Sequence, residues 1–106
     1  MRVYLKNKSV SYSAVGEYDY ESNALTLQVG SKVSDSIAYS EKFRGAKTVE
    51  RLREQYVING TVKEDVLFKS PSTAANFVTG RSTNGLITWK DENGRSLKEI
   101  FTPNAD

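Results

Sequence analysis

The loop Gly80-Arg81-Ser82-Thr83-Asn84-Gly85 holds the residues of this chain best suited to gripping a ligand. It carries a guanidinium, two hydroxyls and a carboxamide between two glycines. Backbone N–H groups in such a loop can converge on a phosphate. Arg81 can add a bidentate contact to a phosphate or to a guanine edge. The loop is not a P-loop, because no Gly-Lys-Ser/Thr follows at the spacing that motif needs. The competing reading is a connector, with Gly80 ending a helix and Asn84-Gly85 making a tight turn.

Catalytic chemistry finds few suitable residues. The chain has no histidine and no cysteine. Zinc sites of Cys/His type and triads of Ser-His-Asp or Cys-His type are therefore excluded. Magnesium-dependent nuclease chemistry needs clustered carboxylates, often with a lysine nearby. No Asp-x-Lys or Glu-x-Lys triplet occurs. The adjacent pairs Asp91-Glu92 and Glu64-Asp65 read as turn and loop residues. A Ser-Lys pair of Ser70 or Ser72 with Lys90 would need a desolvated lysine, whereas Ser70 reads as a helix cap and Lys90 as an exposed strand end. We expect no catalytic residue, metal or cofactor.

The formal net charge is +2, and its distribution says more than its size. Residues 41–60 hold Lys42, Arg44, Lys47, Arg51 and Arg53 against Glu41, Glu50 and Glu54, while the rest of the chain is balanced. The excess thus lies in one segment, which could face phosphate. A solvated helix face with internal ion pairs is the alternative. Tyr12, Tyr18 and Tyr20 could line one hairpin face, but the charges near them are mostly acidic, which argues against stacking on a single strand.

At 106 residues the sequence fits one domain with a single modest core. No apolar run reaches membrane-span length, and no signal-peptide pattern follows Met1, so a cytoplasmic protein is expected. Val3 and Leu5 mark a short strand. Val10, Tyr12 and Ala14 alternate with serines, with Gly16 as a bulge and Tyr18 and Tyr20 continuing. Leu25, Leu27 and Val29 form the returning strand of a hairpin. Residues 31–40, rich in serine and weakly patterned, read as a loop that could hold a short strand. Ala46, Val49, Leu52 and Tyr56 recur at helical spacing, and Asn59-Gly60 ends that helix. Val66-Leu67-Phe68 is a short strand. Ser70-Pro71 starts a second helix that Gly80 stops. Leu86–Lys90 reads as a strand with Ile87 and Trp89 facing the core, then a turn at 91–94. Ser96-x-x-Glu99 is a capping box for a short last helix ending at Pro103. The sum is an α+β domain, a small, mostly antiparallel sheet with two main helices on one face and a short C-terminal helix.

Three stretches carry a family resemblance. The firmest is Ser70-Pro71-Ser72-x-Ala74-Ala75, with Gly80-Arg81-Ser82-x-Asn84-Gly85, Trp89-Lys90-Asp91, Gly94 and Leu97. The others are Leu27-Gln28-Val29-Gly30-Ser31 and Phe43–Arg53. Over about 14–100 the chain resembles a bacterial domain of unknown function, family 4357, often attached to nucleases of restriction or GIY-YIG type. It is also similar to the RAMA domain, which accompanies adenine methylases and restriction enzymes. Leu86 departs from the pattern, and residues 1–13 lie outside it. The resemblance implies a non-catalytic accessory domain in restriction, modification or defence. Its partner would be DNA, plain or modified, alongside a nuclease or methylase. On that reading Arg81, Ser82, Thr83 and Asn84 approach the DNA, while Lys90, Lys42, Arg44, Lys47 and Arg51 contact phosphate. The alternative is a module for protein interaction or dimerisation, with an exposed apolar patch.

Overall fold

Strands form where apolar and polar residues alternate, and each buries one side. The computed structural model describes residues 1–7, 11–39 and 43–101. Strands β1 (Arg2–Lys6), β2 (Ser13–Asp19), β3 (Ala24–Leu27) and β6 (Val66–Phe68) make an antiparallel sheet in the order β1-β2-β3-β6. Its register brings Val3, Leu5, Ala14, Gly16, Tyr18, Leu25, Leu27, Val66 and Phe68 to one buried face. Gly16 sits in regular register between Val3 and Leu27 rather than in the expected bulge. A Cβ there would stand 2.7 Å from the Leu25 side chain, so the glycine makes room for a core leucine. Of the apolar residues expected to continue the hairpin, Tyr20 and Val29 are exposed. Val10 lies outside the described residues.

Helix α1 (Ala46–Tyr56) follows the expected spacing, with Ala46 and Val49 buried. It ends at Tyr56, before Asn59-Gly60. Those two residues instead turn a small hairpin between β4 (Val57–Ile58) and β5 (Thr61–Val62). Both have positive φ, 52° and 77°, the conformation a two-residue hairpin turn selects. Lys32 bridges Ser13 and Thr61, tying this hairpin to the main sheet.

Helix α2 (Pro71–Thr79) packs against β2, β3 and β6 on the buried face. Its start is the expected one: Thr73 N–H donates to Ser70 Oγ, with Pro71 in the first turn. It stops at Gly80, whose φ of 74° is left-handed.

The segment expected to be a strand, Leu86–Lys90, is mostly helical. Gly85–Thr88 forms a single turn, α3, with Asn84 as its N-cap. Ile87 is therefore exposed, while Trp89 is fully buried. Only Lys90 enters the sheet, as a bridge to Tyr4 of β1 and to Ser96. The turn at 91–94 forms as expected, with Gly94 N–H donating to the Asp91 carbonyl. Helix α4 (Leu97–Phe101) carries the expected capping box: Ser96 Oγ accepts from Glu99 N–H, and Glu99 Oε1 accepts from Ser96 N–H. Pro103 lies outside the described residues. The architecture is α+β, with a four-stranded antiparallel sheet, a two-stranded one and helices against one face.

Candidate nucleic-acid interface

Two neighbouring elements hold most of the residues that could grip a polyanion. The first is the loop between α2 and α3. Its backbone amides are largely consumed within the protein. Thr83 N–H donates to Asn76 Oδ1 at 2.8 Å, Gly85 N–H to Ser72 Oγ at 2.9 Å and Leu86 N–H to Asn84 Oδ1 at 3.0 Å. Arg81 N–H reaches Thr79 Oγ1 at 3.3 Å, and that hydroxyl lies 2.7 Å from Thr83 Oγ1. The loop thus holds its own shape and has few amides left for a phosphate cradle. What it presents outward is the exposed side chains of Arg81, Ser82 and Asn84, with Thr83 half-buried.

The loop's shape depends on a tight seat for Gly85. A Cβ at this position would collide with the backbone of Pro71. Trp89 reinforces the same seat, because its buried Nε1–H donates to the Pro71 carbonyl at 2.9 Å. Trp89 is therefore a core anchor and offers no stacking face.

The second element is α1. Lys47 and Arg51 are four residues apart on this helix, which sets them along one stripe, and Arg44 lies just before its N-cap, Gly45. All three are exposed. The ion pairs among the described residues join Glu17 to Arg2 and to the N-terminus, and Asp91 to Arg95. Arg44, Lys47, Arg51, Arg81 and Lys90 thus make no ion pair with a described residue. Glu50 takes a hydrogen bond from Tyr39 Oη instead, at 2.8 Å, which raises the tyrosine's pKa. The expected alternative of internal ion pairs along this helix is not what the described residues show.

Arg53, in the same basic segment, turns inward. Nε and Nη2 donate to the Phe77 carbonyl at 3.0 and 2.8 Å, and Nη2 also reaches the Val78 carbonyl at 3.2 Å. Nη1 donates to the Ser34 carbonyl and Nη2 to Ser34 Oγ, each at 3.0 Å. Burial lowers its pKa from the ordinary guanidinium value, although the group stays charged. The sequence carried a signal for this role. Arg53 lies four residues after Val49 and three before Tyr56, so it borders the apolar stripe of α1.

Lys90 is exposed but stands elsewhere, beside the edge strand β1, while α1 packs on α2 and β4. Lys42 lies outside the described residues. Among the described residues no group of three or more carboxylates could hold a metal ion. No helix there is long and apolar enough to cross a membrane.

A buried tryptophan just after a one-turn helix, a glycine-bounded polar loop and a serine-proline helix start form one interlocked unit. The family whose model covers that unit is described as "Domain of unknown function (DUF4357)", and it matches residues 4–101. The chain belongs to this family. The match begins at Tyr4, within β1, and so takes in part of the segment that the resemblance seen in the sequence had left out. No curated protein and no solved structure matches the chain.

Proposed function

We propose that this domain is a non-catalytic DNA-binding module serving a restriction, modification or nuclease system in the cytoplasm. One observation carries the reading: Arg44, Lys47, Arg51 and Arg81 stand exposed with no ion pair to a described residue. Unpaired surface cations are free to displace counterions from phosphate, which drives association with DNA. Phosphate contacts from α1 would set affinity and register. Arg81, Ser82 and Asn84 would then reach base edges from a loop already held rigid. Lys90 would give a separate backbone contact near β1. The RAMA-like resemblance extends the proposal to modified bases, and a nuclease or methylase is the expected partner or fused domain.

Fluorescence titration with a short duplex over a range of salt tests this. Arg81→Ala and Lys47→Ala should each weaken binding and reduce the salt slope by about 1. Running plain and adenine-methylated duplexes side by side tests modification reading. Affinity and slope unchanged in both variants would sink the assignment. An amide-resonance NMR titration should show shifts concentrated at 81–90 and 43–53, fading as salt rises.

A further inference from the structure

Strand β6 is the last strand of the sheet, with β3 on one side only. Its middle residue, Leu67, is 71% exposed, the most exposed large apolar side chain among the described residues. The phase of the ladder determines which way its backbone faces. Gln28 N–H donates to the Val15 carbonyl at 2.9 Å, so Thr26 and Gln28 bond toward β2 while Leu25 and Leu27 bond toward β6. Phe68 and Val66 are their partners, which turns the N–H and C=O of Leu67 outward. An edge of this kind is a template for another strand.

The sequence around Leu67 selects which strand. Asp65-Val66-Leu67-Phe68-Lys69 is complementary to itself when run antiparallel about its centre. We infer that β6 pairs with β6 of a second copy of this chain, across a two-fold axis at Leu67. Asp65 of each copy then lies opposite Lys69 of the other, Val66 opposite Phe68, and Leu67 opposite Leu67. Such an isologous contact closes on itself, as a dimer requires. Lys69 is exposed and makes no ion pair with a described residue. Asp65 accepts from Val29 N–H through Oδ1 at 2.8 Å, which orients the carboxylate and leaves Oδ2 for the lysine. Both faces beside β6 are grooved. Leu67 borders one groove with Ala24 and Thr26 on the open side of the sheet. Phe68 borders the other, which is mostly apolar and walled by Val49, Leu52 and Phe77. An added strand would cover both, and the helices of the two copies would lie on one side of a doubled sheet.

Sedimentation equilibrium of the 106-residue chain tests the inference. The wild type should dimerise with rising concentration. Lys69→Glu sets Glu against Asp65 twice, and Asp65→Lys sets Lys against Lys69 twice. Each variant alone should weaken the dimer roughly tenfold. Mixed in equal amounts, the two variants are complementary at both ends and should recover wild-type affinity. Asp65→Lys also gives up the Val29 bond, so far-UV circular dichroism must first show it folded. If it is not, Leu67→Cys replaces it: in a chain without cysteine, oxidation should then give a covalent dimer. A monomer at every concentration, or a dimer indifferent to Lys69→Glu, overturns the inference and leaves β6 to a foreign strand or to none.

Discussion

The Arg53 guanidinium sits at the carbonyl end of α2, where the helix dipole is negative. It fills the acceptors of Phe77 and Val78 and holds Ser34 against them. Truncation would strand several half-buried carbonyls. Arg53→Ala should therefore cost on the order of 3 kcal/mol in urea unfolding. Lys47→Ala, six residues earlier on the same helix and exposed, should change stability by less than about 0.5 kcal/mol. Equal effects would show that the clamp contributes nothing. Asp91 makes a separate prediction. Its carboxylate accepts from the backbone of Arg95 and Asn93, and these bonds, with Arg95's charge, hold its pKa below the ordinary 3.8. A depressed pKa means that its stabilisation is present above that value and lost as pH falls through the lower, folded one. Acid unfolding of Asp91→Asn should therefore be less steep below about pH 4 than that of the wild type. Identical acid limbs would remove Asp91 from the account.

Caps were legible in the sequence because their chemistry is local. Ser70 reaches Thr73, and Ser96 reaches Glu99, within one turn. Helix α1 was legible from its spacing, and β2 and β3 from alternation. Helix α3 was not, because its evidence is tertiary. Leu86, Ile87 and Thr88 favour a strand by local preference, two of them being β-branched. What fixes them as a turn of helix is the approach of Gly85 to Pro71 and the hydrogen bond from Trp89 to the Pro71 carbonyl. Nothing in the sequence placed Pro71 beside residues fourteen to eighteen positions later. Gly85→Ala tests this seat. The added methyl must push α3 away from α2, at about 1–3 kcal/mol, with Trp89 emission shifted to the red as its pocket opens. A variant as stable as the wild type would show that α3 can slide freely. The loop's candidate residues were legible as types, but their uses were not. Asn84 caps α3 and Thr83 bonds to Asn76 and Thr79, which leaves Arg81 and Ser82 the least committed.

Across the whole molecule, the buried apolar residues form one cluster that spans the sheet, α1, α2 and α4. The chain has no cysteine for a disulfide, so this cluster and its satisfied polar neighbours hold the fold. Helices cover one side of the sheet, and the other carries Arg2, Tyr4, Glu17, Thr26 and Leu67. The position of β6 beside β3 could not be read from the sequence, because some forty residues separate the two strands. Nor could the path of residues 31–39, which showed no periodicity of their own. Beyond the two bridges of Lys32 they form neither helix nor strand, yet they wrap the end of α2: Ser34 N–H donates to the Val78 carbonyl at 2.8 Å and Ala38 N–H to the Gly80 carbonyl at 2.6 Å. Gly80 N–H in turn donates to Asn76 at 2.9 Å. A segment with this appearance would be expected to exchange its amide protons quickly. Because Arg53 binds it and the end of α2 at once, the amides of Ser34, Ala38 and Gly80 should instead exchange at one common rate, as a single opening unit. In Arg53→Ala all three should speed up together, while the amides of β2 and β3 keep their protection relative to global unfolding.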